Sequence, residues 1–188
     1  MFLDMPPIPQ ERLICAMAAA EHHAIPANIV LAVAQQEAGR PGQWVANRNG
    51  SFDVGAMQFN TAFLKGLARY GIAPGDIAAA SCYAYELTAW RLRRHLLHDR
   101  GDLWTRISNY HSYPPQYSAR YRTQLLIRAE YWAHWLERHF VTTDVYPSTS
   151  AAPPIPQSPS SRKKHPTAAT TRSYVPRELV VQGNEPGL

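Results

Sequence analysis

The chain has 188 residues, 45% of them hydrophobic, and a formal net charge of +5, enough for one domain with a real core plus extra segments. No run approaches the roughly 18 apolar residues that a membrane span requires. The mild positive charge suits an anionic polymer, and without an aromatic-basic motif of RNA-binding type no nucleic-acid partner is expected.

The N-terminal stretch MFLDMPPIPQERLICAMAAAEHH is a poor signal peptide. It carries Asp4, has no basic residue before Arg12, and its apolar piece LICAMAAA is short. Pro9 to His23 reads as a first helix. A second is predicted from Pro26, well placed in a first turn, to about Ala38, with Gly39 as a left-handed cap and Pro41-Gly42 preventing continuation. In this second helix Ile29, Val30, Leu31, Ala32, Val33 and Ala34 follow one another and leave no polar face, the pattern of a core helix.

The segment WVANRNGSFDVGAMQFN follows. Asn49-Gly50 is a strong hairpin signal, flanked by Val45, Phe52 and Val54, and predicts one small β-hairpin as the only strand structure. Asn60-Thr61 opens a helix to about Tyr70, closed by Gly71. Residues 75–98 read as one long helix with Cys82, Tyr85, Ala89, Leu92 and Leu96 on a stripe, and with Arg91, Arg93, Arg94 and His95 on its other faces. A short helix follows Gly101. The last, about 116–139, carries Tyr121, Leu125, Ala129, Trp132, Leu136 and Phe140 at helical spacing.

The fold expected is therefore mainly α with one small hairpin, over residues 8–140. From 141 to 188 the composition changes: this stretch holds 8 of the 16 prolines, the basic cluster Arg162, Lys163 and Lys164, and no sustained period. It reads as a disordered, Pro/Ser/Thr-rich basic tail. Spacing leaves Cys15 and Cys82 open as one disulfide or as two buried thiols, the latter slightly favoured.

Glu37 is the chemically interesting residue. An apolar setting disfavours its charged form, the negative end of its helix does so again, and no Lys or Arg stands three or four residues earlier to offset either. Such a carboxylic acid stays protonated near neutral pH and can donate a proton. Sixteen residues on, the hairpin offers Asp53, then Gly55, where a backbone or ligand can come close. Gln58 and Asn60 add amides able to hold sugar hydroxyl or acetamido groups. A helix-end acid beside a hairpin bearing a carboxylate and amides is the layout of a polysaccharide cleft.

In that order and spacing, LAVAQQEAG, NRNGSFDVGAMQFN and LWTRISNYHS resemble the lysozyme-like lytic transglycosylases, most of all the TrbN-type members associated with conjugation and type IV secretion. The resemblance covers about residues 12–130. It implies an α+β lysozyme-like fold and cleavage of the β-1,4 bond between N-acetylmuramic acid and N-acetylglucosamine in peptidoglycan, in the periplasm or cell envelope. Glu37 matches the single catalytic acid. Gly55, Met57 and Gln58 match a cleft-lining motif, with Asn60 beside it, and Tyr110 matches a tyrosine near the acid. A Cys15–Cys82 disulfide is implied by the same likeness. Two positions depart from the pattern: Ala38 stands where many relatives have Ser after the acid, and His111 where soluble members usually have Asn.

Three rival readings accompany this one. A hydrolytic lysozyme would use Asp53 as a second carboxylate beside Glu37, about 5 Å away in a retaining pair and about 6.5–9.5 Å in an inverting one. The competing expectation for Asp53 is a hairpin residue held by local hydrogen bonds. A non-catalytic glycan-binding module would use the 141–188 tail to recruit secretion or conjugation components. A metal enzyme is disfavoured: His22, His23, His95, His98 and His111 show no ligand spacing, read as solvated histidines, and no metal or cofactor is expected. Trp90, Trp132 and Trp135 read as core, whereas Trp44, Tyr110, Tyr113 and Tyr117 are candidates to stack on sugars.

Overall fold

The computed structural model describes residues 6–144 and 177–179. The protein is mainly α-helical with a small antiparallel sheet: α1 (Gln10–His22), α2 (Ala27–Glu37), β1 (Trp44–Ala46), β2 (Phe52–Val54), β3 (Phe59–Asn60), α3 (Thr61–Lys65), α4 (Pro74–Ala78), α5 (Tyr83–His98), α6 (Leu103–Ser108) and α7 (Pro115–His139). As the absence of a polar face predicts, α2 is the central element, with every residue from Ala27 to Ala34 buried. Helices α1, α5 and α7 pack around it.

Polar side chains fix the seam between α2 and α7 at three levels. Asn28 Nδ2 donates to the Ala129 carbonyl at 3.2 Å, Trp132 Nε1 to Gln35 Oε1 at 3.0 Å, and Gln36 Nε2 to Gln124 Oε1 at 2.9 Å. A buried amide costs free energy unless it finds such a partner, so these bonds set the register of the two helices. That register places the end of α2, and Glu37 with it.

The ends of α2 differ from the sequence expectation. Pro26 is the N-cap rather than a first-turn residue. At the other end Ala38, not Gly39, takes the left-handed conformation (φ 49°, ψ 17°). Glycine is required one position later for space: a Cβ on Gly39 would lie 2.3 Å from the Gly55 carbonyl oxygen and 2.5 Å from Gln58 Nε2. The chain after the acid is thus pressed against the hairpin. Arg12 donates to the Gly39 carbonyl from the α1 side.

The Asn49-Gly50 turn joins β1 to β2, pairing Trp44 with Val54 and Ala46 with Phe52, but the expected hairpin is one strand short. β3 adds to β2, pairing Asp53 with Asn60. The last strand flows straight into α3, because the Asn60 side chain accepts from Ala62 N–H as its N-cap. That helix stops at Lys65, and a single 3₁₀ turn, Ala68–Tyr70, ends at left-handed Gly71.

The single helix expected over 75–98 is two. Ala79 is extended (φ −60°, ψ 155°), and the chain re-enters a helix only after Cys82. The break lies where the chain meets the sheet: Gly42 N–H donates to the Ala78 carbonyl at 2.5 Å, and Gly55 lies against the Ile77 backbone. Cys82 is disulfide-bonded to Cys15, with Cα atoms 4.9 Å apart, which ties α5 to α1. α6 starts as the sequence expects, Asp102 accepting from Thr105 N–H at 2.7 Å.

Strand structure is not confined to the hairpin. Thr142–Asp144 (β4) pairs antiparallel with Arg177–Leu179 (β5), and β5 runs beside α2. The rest of the expected tail, including Arg162, Lys163 and Lys164, lies outside the described residues. Among the described residues no helix is long and apolar enough to cross a membrane.

Candidate active site

Glu37, the last residue of α2, lines an open cleft of about 810 Å³. The sheet side supplies Asn47, Asn49, Asp53, Gln58 and Asn60, and the helical side Phe63, Arg91, Tyr110, His111 and Tyr117. The far wall is built from long-range contacts. Arg91 of α5 stacks over Phe63 with its guanidinium carbon 4.1 Å from the ring centre, and over Tyr110 at 4.6 Å.

Burial is the dominant influence on the Glu37 carboxyl and raises its pKa to about 7. Against it act a hydrogen bond from Tyr121 and then the Arg91 charge, while Asp53 adds a smaller upward push. Tyr121 Oη donates to Glu37 Oε1 at 2.7 Å. His111 lies flat on the Tyr121 ring, centroids 4.7 Å apart and planes within 5°. Desolvation pushes the His111 pKa down, with Asp53 opposing and Arg91 assisting. The group nearest the acid's partner is therefore biased toward a neutral ring. The site is an acid whose pKa is raised toward neutrality, held by one oxygen and opening on amides and hydroxyl-bearing rings.

Of the residues singled out by sequence, Glu37, Asp53, Gln58, Asn60 and Tyr110 come together around the cleft. Asp53 Oδ1 accepts from Asn60 Nδ2 at 2.8 Å, and that same amide reaches Ser51 Oγ at 2.9 Å. Gln58 has a left-handed backbone (φ 48°) that costs a non-glycine residue energy, and its Nε2 donates to the Gly55 carbonyl at 2.8 Å. Tyr110 is buried to its hydroxyl, which donates to the Met57 carbonyl at 3.1 Å and lies 3.2 Å from Thr88 Oγ1. Burial drives its pKa far upward, so it stays a neutral phenol.

Gly55 and Met57 do not line the cleft, and their expected role as sugar contacts is corrected. Met57 is fully buried in the core. Gly55 (φ 71°) is needed because a Cβ there would lie 2.4 Å from the Ile77 carbonyl oxygen. Both act behind the site, one through its carbonyl on Tyr110, the other by letting the sheet close on α4.

Of the aromatic candidates, Tyr117 joins Tyr110 at the cleft, and Tyr113 lines a smaller adjoining hollow. Trp44 is half exposed on the sheet, edge-on to Phe52 at 6.0 Å, and does not line the cleft. Trp132 and Trp135 are buried, and Trp90 packs partly buried on the core. His95 is not the solvated histidine expected: it is buried, with Nδ1 2.8 Å from Asp99 Oδ2, and desolvation lowers its pKa.

Sequence reasoning missed Arg91 and Tyr121 as members of the site. Arg91 reads as one of several cations on a basic helix, and Tyr121 as the first rung of a core stripe; only its single polar atom, on an otherwise apolar stripe, hints that it needs a partner. Compared with known proteins, the chain matches no family model and no curated protein.

Proposed function

We propose that the protein is a peptidoglycan lytic transglycosylase, with Glu37 as its single acid and base. The observation that carries this reading is the Glu37 carboxyl, raised to a pKa of about 7 on the wall of a cleft lined with amides. An acid so poised gives up and retakes a proton at neutral pH with little cost either way.

In the proposed reaction the protonated carboxyl gives its proton to the glycosidic oxygen as the bond to C1 of N-acetylmuramic acid breaks. The departing N-acetylglucosamine leaves with a free 4-hydroxyl. The carboxylate then takes the proton from the C6 hydroxyl of the same muramoyl residue while O6 bonds to C1. A 1,6-anhydro ring forms, no water is consumed, and Glu37 ends protonated as it began. Tyr121 holds Oε1, and the proton transfers fall to Oε2. The Tyr121 bond and the Arg91 charge keep the intervening carboxylate from becoming too strong a base. Asn47, Asn49, Gln58 and Asn60 are the groups proposed to orient acetamido and hydroxyl groups of the strand.

A hydrolytic lysozyme is the second reading, favoured by one observation: Asp53 lines the same cleft and acts electrostatically on Glu37. Its bond from Asn60 equally suits a residue that braces β2 against β3. The Cys15–Cys82 disulfide supports placement in an oxidising compartment such as the periplasm. Service to a conjugation or type IV secretion machine, through the 141–188 segment, belongs to the same proposal.

Mass spectrometry of muropeptides released from purified walls tests the reading. Anhydromuropeptides from the native chain and none from Glu37→Gln are expected. Reducing ends carrying oxygen from labelled water would replace transglycosylation by hydrolysis. Undiminished release by Glu37→Gln would remove both.

A further inference from the structure

The fold brings together three metal-ligating side chains away from the cleft. His22 ends α1, His23 follows as its C-cap, and Glu86 stands in the first turn of α5. His22 Nδ1 lies 2.9 Å and His23 Nε2 3.0 Å from the same oxygen, Glu86 Oε2. The two imidazoles are 4.7 Å apart, and all three ligand atoms lie within 4.8 Å of one another. None of the three lines the 810 Å³ cleft.

We propose that His22, His23 and Glu86 form a binding site for a divalent transition ion of the zinc class. Zinc bonds to His nitrogen and carboxylate oxygen at about 2.0–2.2 Å, which puts the ligand atoms of a tetrahedral site roughly 3.3 Å apart. Two of the three separations are already within a few tenths of an ångström of that, the third lies within 4.8 Å, and His22 is the most exposed of the set. Two imidazoles and one carboxylate select zinc and its neighbours over calcium or magnesium, which prefer all-oxygen shells. Three protein ligands leave a fourth position for water.

The backbone beneath is fixed in advance. Cys82, one helical turn before Glu86, is bonded to Cys15 of α1, so both ligand-bearing elements are covalently joined. Arg93 Nη1 donates to the His23 carbonyl at 2.7 Å and holds the turn after α1; its positive charge remains and opposes a bound cation. The negative end of α1 favours positive charge where the two histidines sit, and the start of α5 favours the carboxylate. Without a metal, the same three groups form a simple hydrogen-bonded cluster, and the experiment separates the two cases.

ZnCl₂ alone is titrated into the metal-stripped 188-residue chain by calorimetry, and Tm is followed by circular dichroism. One equivalent is expected to bind with micromolar affinity and to raise Tm by several degrees. Glu86→Gln and His23→Ala, each first shown to keep the native circular dichroism spectrum, are each expected to weaken binding by more than about tenfold. Co²⁺ in the native chain is expected to give the intense visible bands of a four-coordinate site, absent from both variants. No zinc binding by the native chain, or binding unchanged in both variants, overturns the proposal. Muropeptide release by the native chain and by Glu86→Gln is expected to be equal with and without zinc, so this site and the reading of the cleft fail independently.

Discussion

Tyr121 on α7 donates its hydroxyl to Glu37 at the end of α2, a 2.7 Å bond between residues 84 positions apart. The bond stabilises the charged carboxylate and so opposes the rise that burial imposes. Tyr121→Phe should therefore move the Glu37 pKa further up. The alkaline limb of a pH–activity profile is expected to shift to higher pH, with a loss of about 1 kcal/mol in stability. A profile unchanged in Tyr121→Phe would detach this tyrosine from the acid's chemistry.

Glu37 also makes stability depend on pH. Its folded-state pKa of about 7 lies above the ordinary 4.5, so between those values the folded chain keeps a proton that the unfolded chain has lost. Burial of this acid therefore costs stability progressively as pH rises through that window, up to about 3 kcal/mol above it. Glu37→Gln should match the native chain near pH 4 and exceed it near pH 8, while losing at least a hundredfold in activity. Urea unfolding at both pH values measures the difference; equal stabilities at both would mean the carboxyl is not desolvated.

The turn after α2 allows a paired test of space against conformation. Gly39→Ala sets a methyl group on the Gly55 carbonyl and is expected to destabilise by about 1–3 kcal/mol. Ala38→Gly relieves a left-handed alanine and should stabilise by roughly 0.5–1 kcal/mol. Denaturant midpoints of the two variants should move in opposite directions.

The Cys15–Cys82 bridge spans 67 residues of sequence. Closing a loop of that size restricts the unfolded chain by about 4 kcal/mol in the chain-entropy model. The Cys15→Ser, Cys82→Ser double variant should therefore unfold at markedly lower denaturant. A midpoint unmoved by the double substitution, and by reductant in the native chain, would show that the bridge contributes no net stability.

Local chemistry made part of this molecule readable. An unbroken apolar run specifies α2 as a core element because no face of it can meet water, and Asn49-Gly50 specifies the turn between β1 and β2 through its backbone preferences. Glu37 stood out because it ends that run. What sequence did not disclose depends on contacts between distant segments. The interruption between α4 and α5 lies where Gly42 and Gly55 meet the backbone of Ala78 and Ile77, and Ser81, whose Oγ accepts from Tyr83 N–H at 3.3 Å, is the local sign of it. Arg91 and Tyr121 reach Glu37 only after α5 and α7 have packed. Gly55 and Met57 sit in a motif that looks like a sugar-contacting loop, yet at these positions the packing behind the loop decides the residue.

The covalent ring closed between Cys15 and Cys82 contains both the acid and the sheet that faces it. A protease that nicks the exposed Asn49-Gly50 turn would leave two fragments still joined through sulfur. They would run as one band on a gel without reductant and as two with it. A clipped molecule of this kind keeps its halves joined, so damage at this exposed loop need not scatter the parts of the cleft.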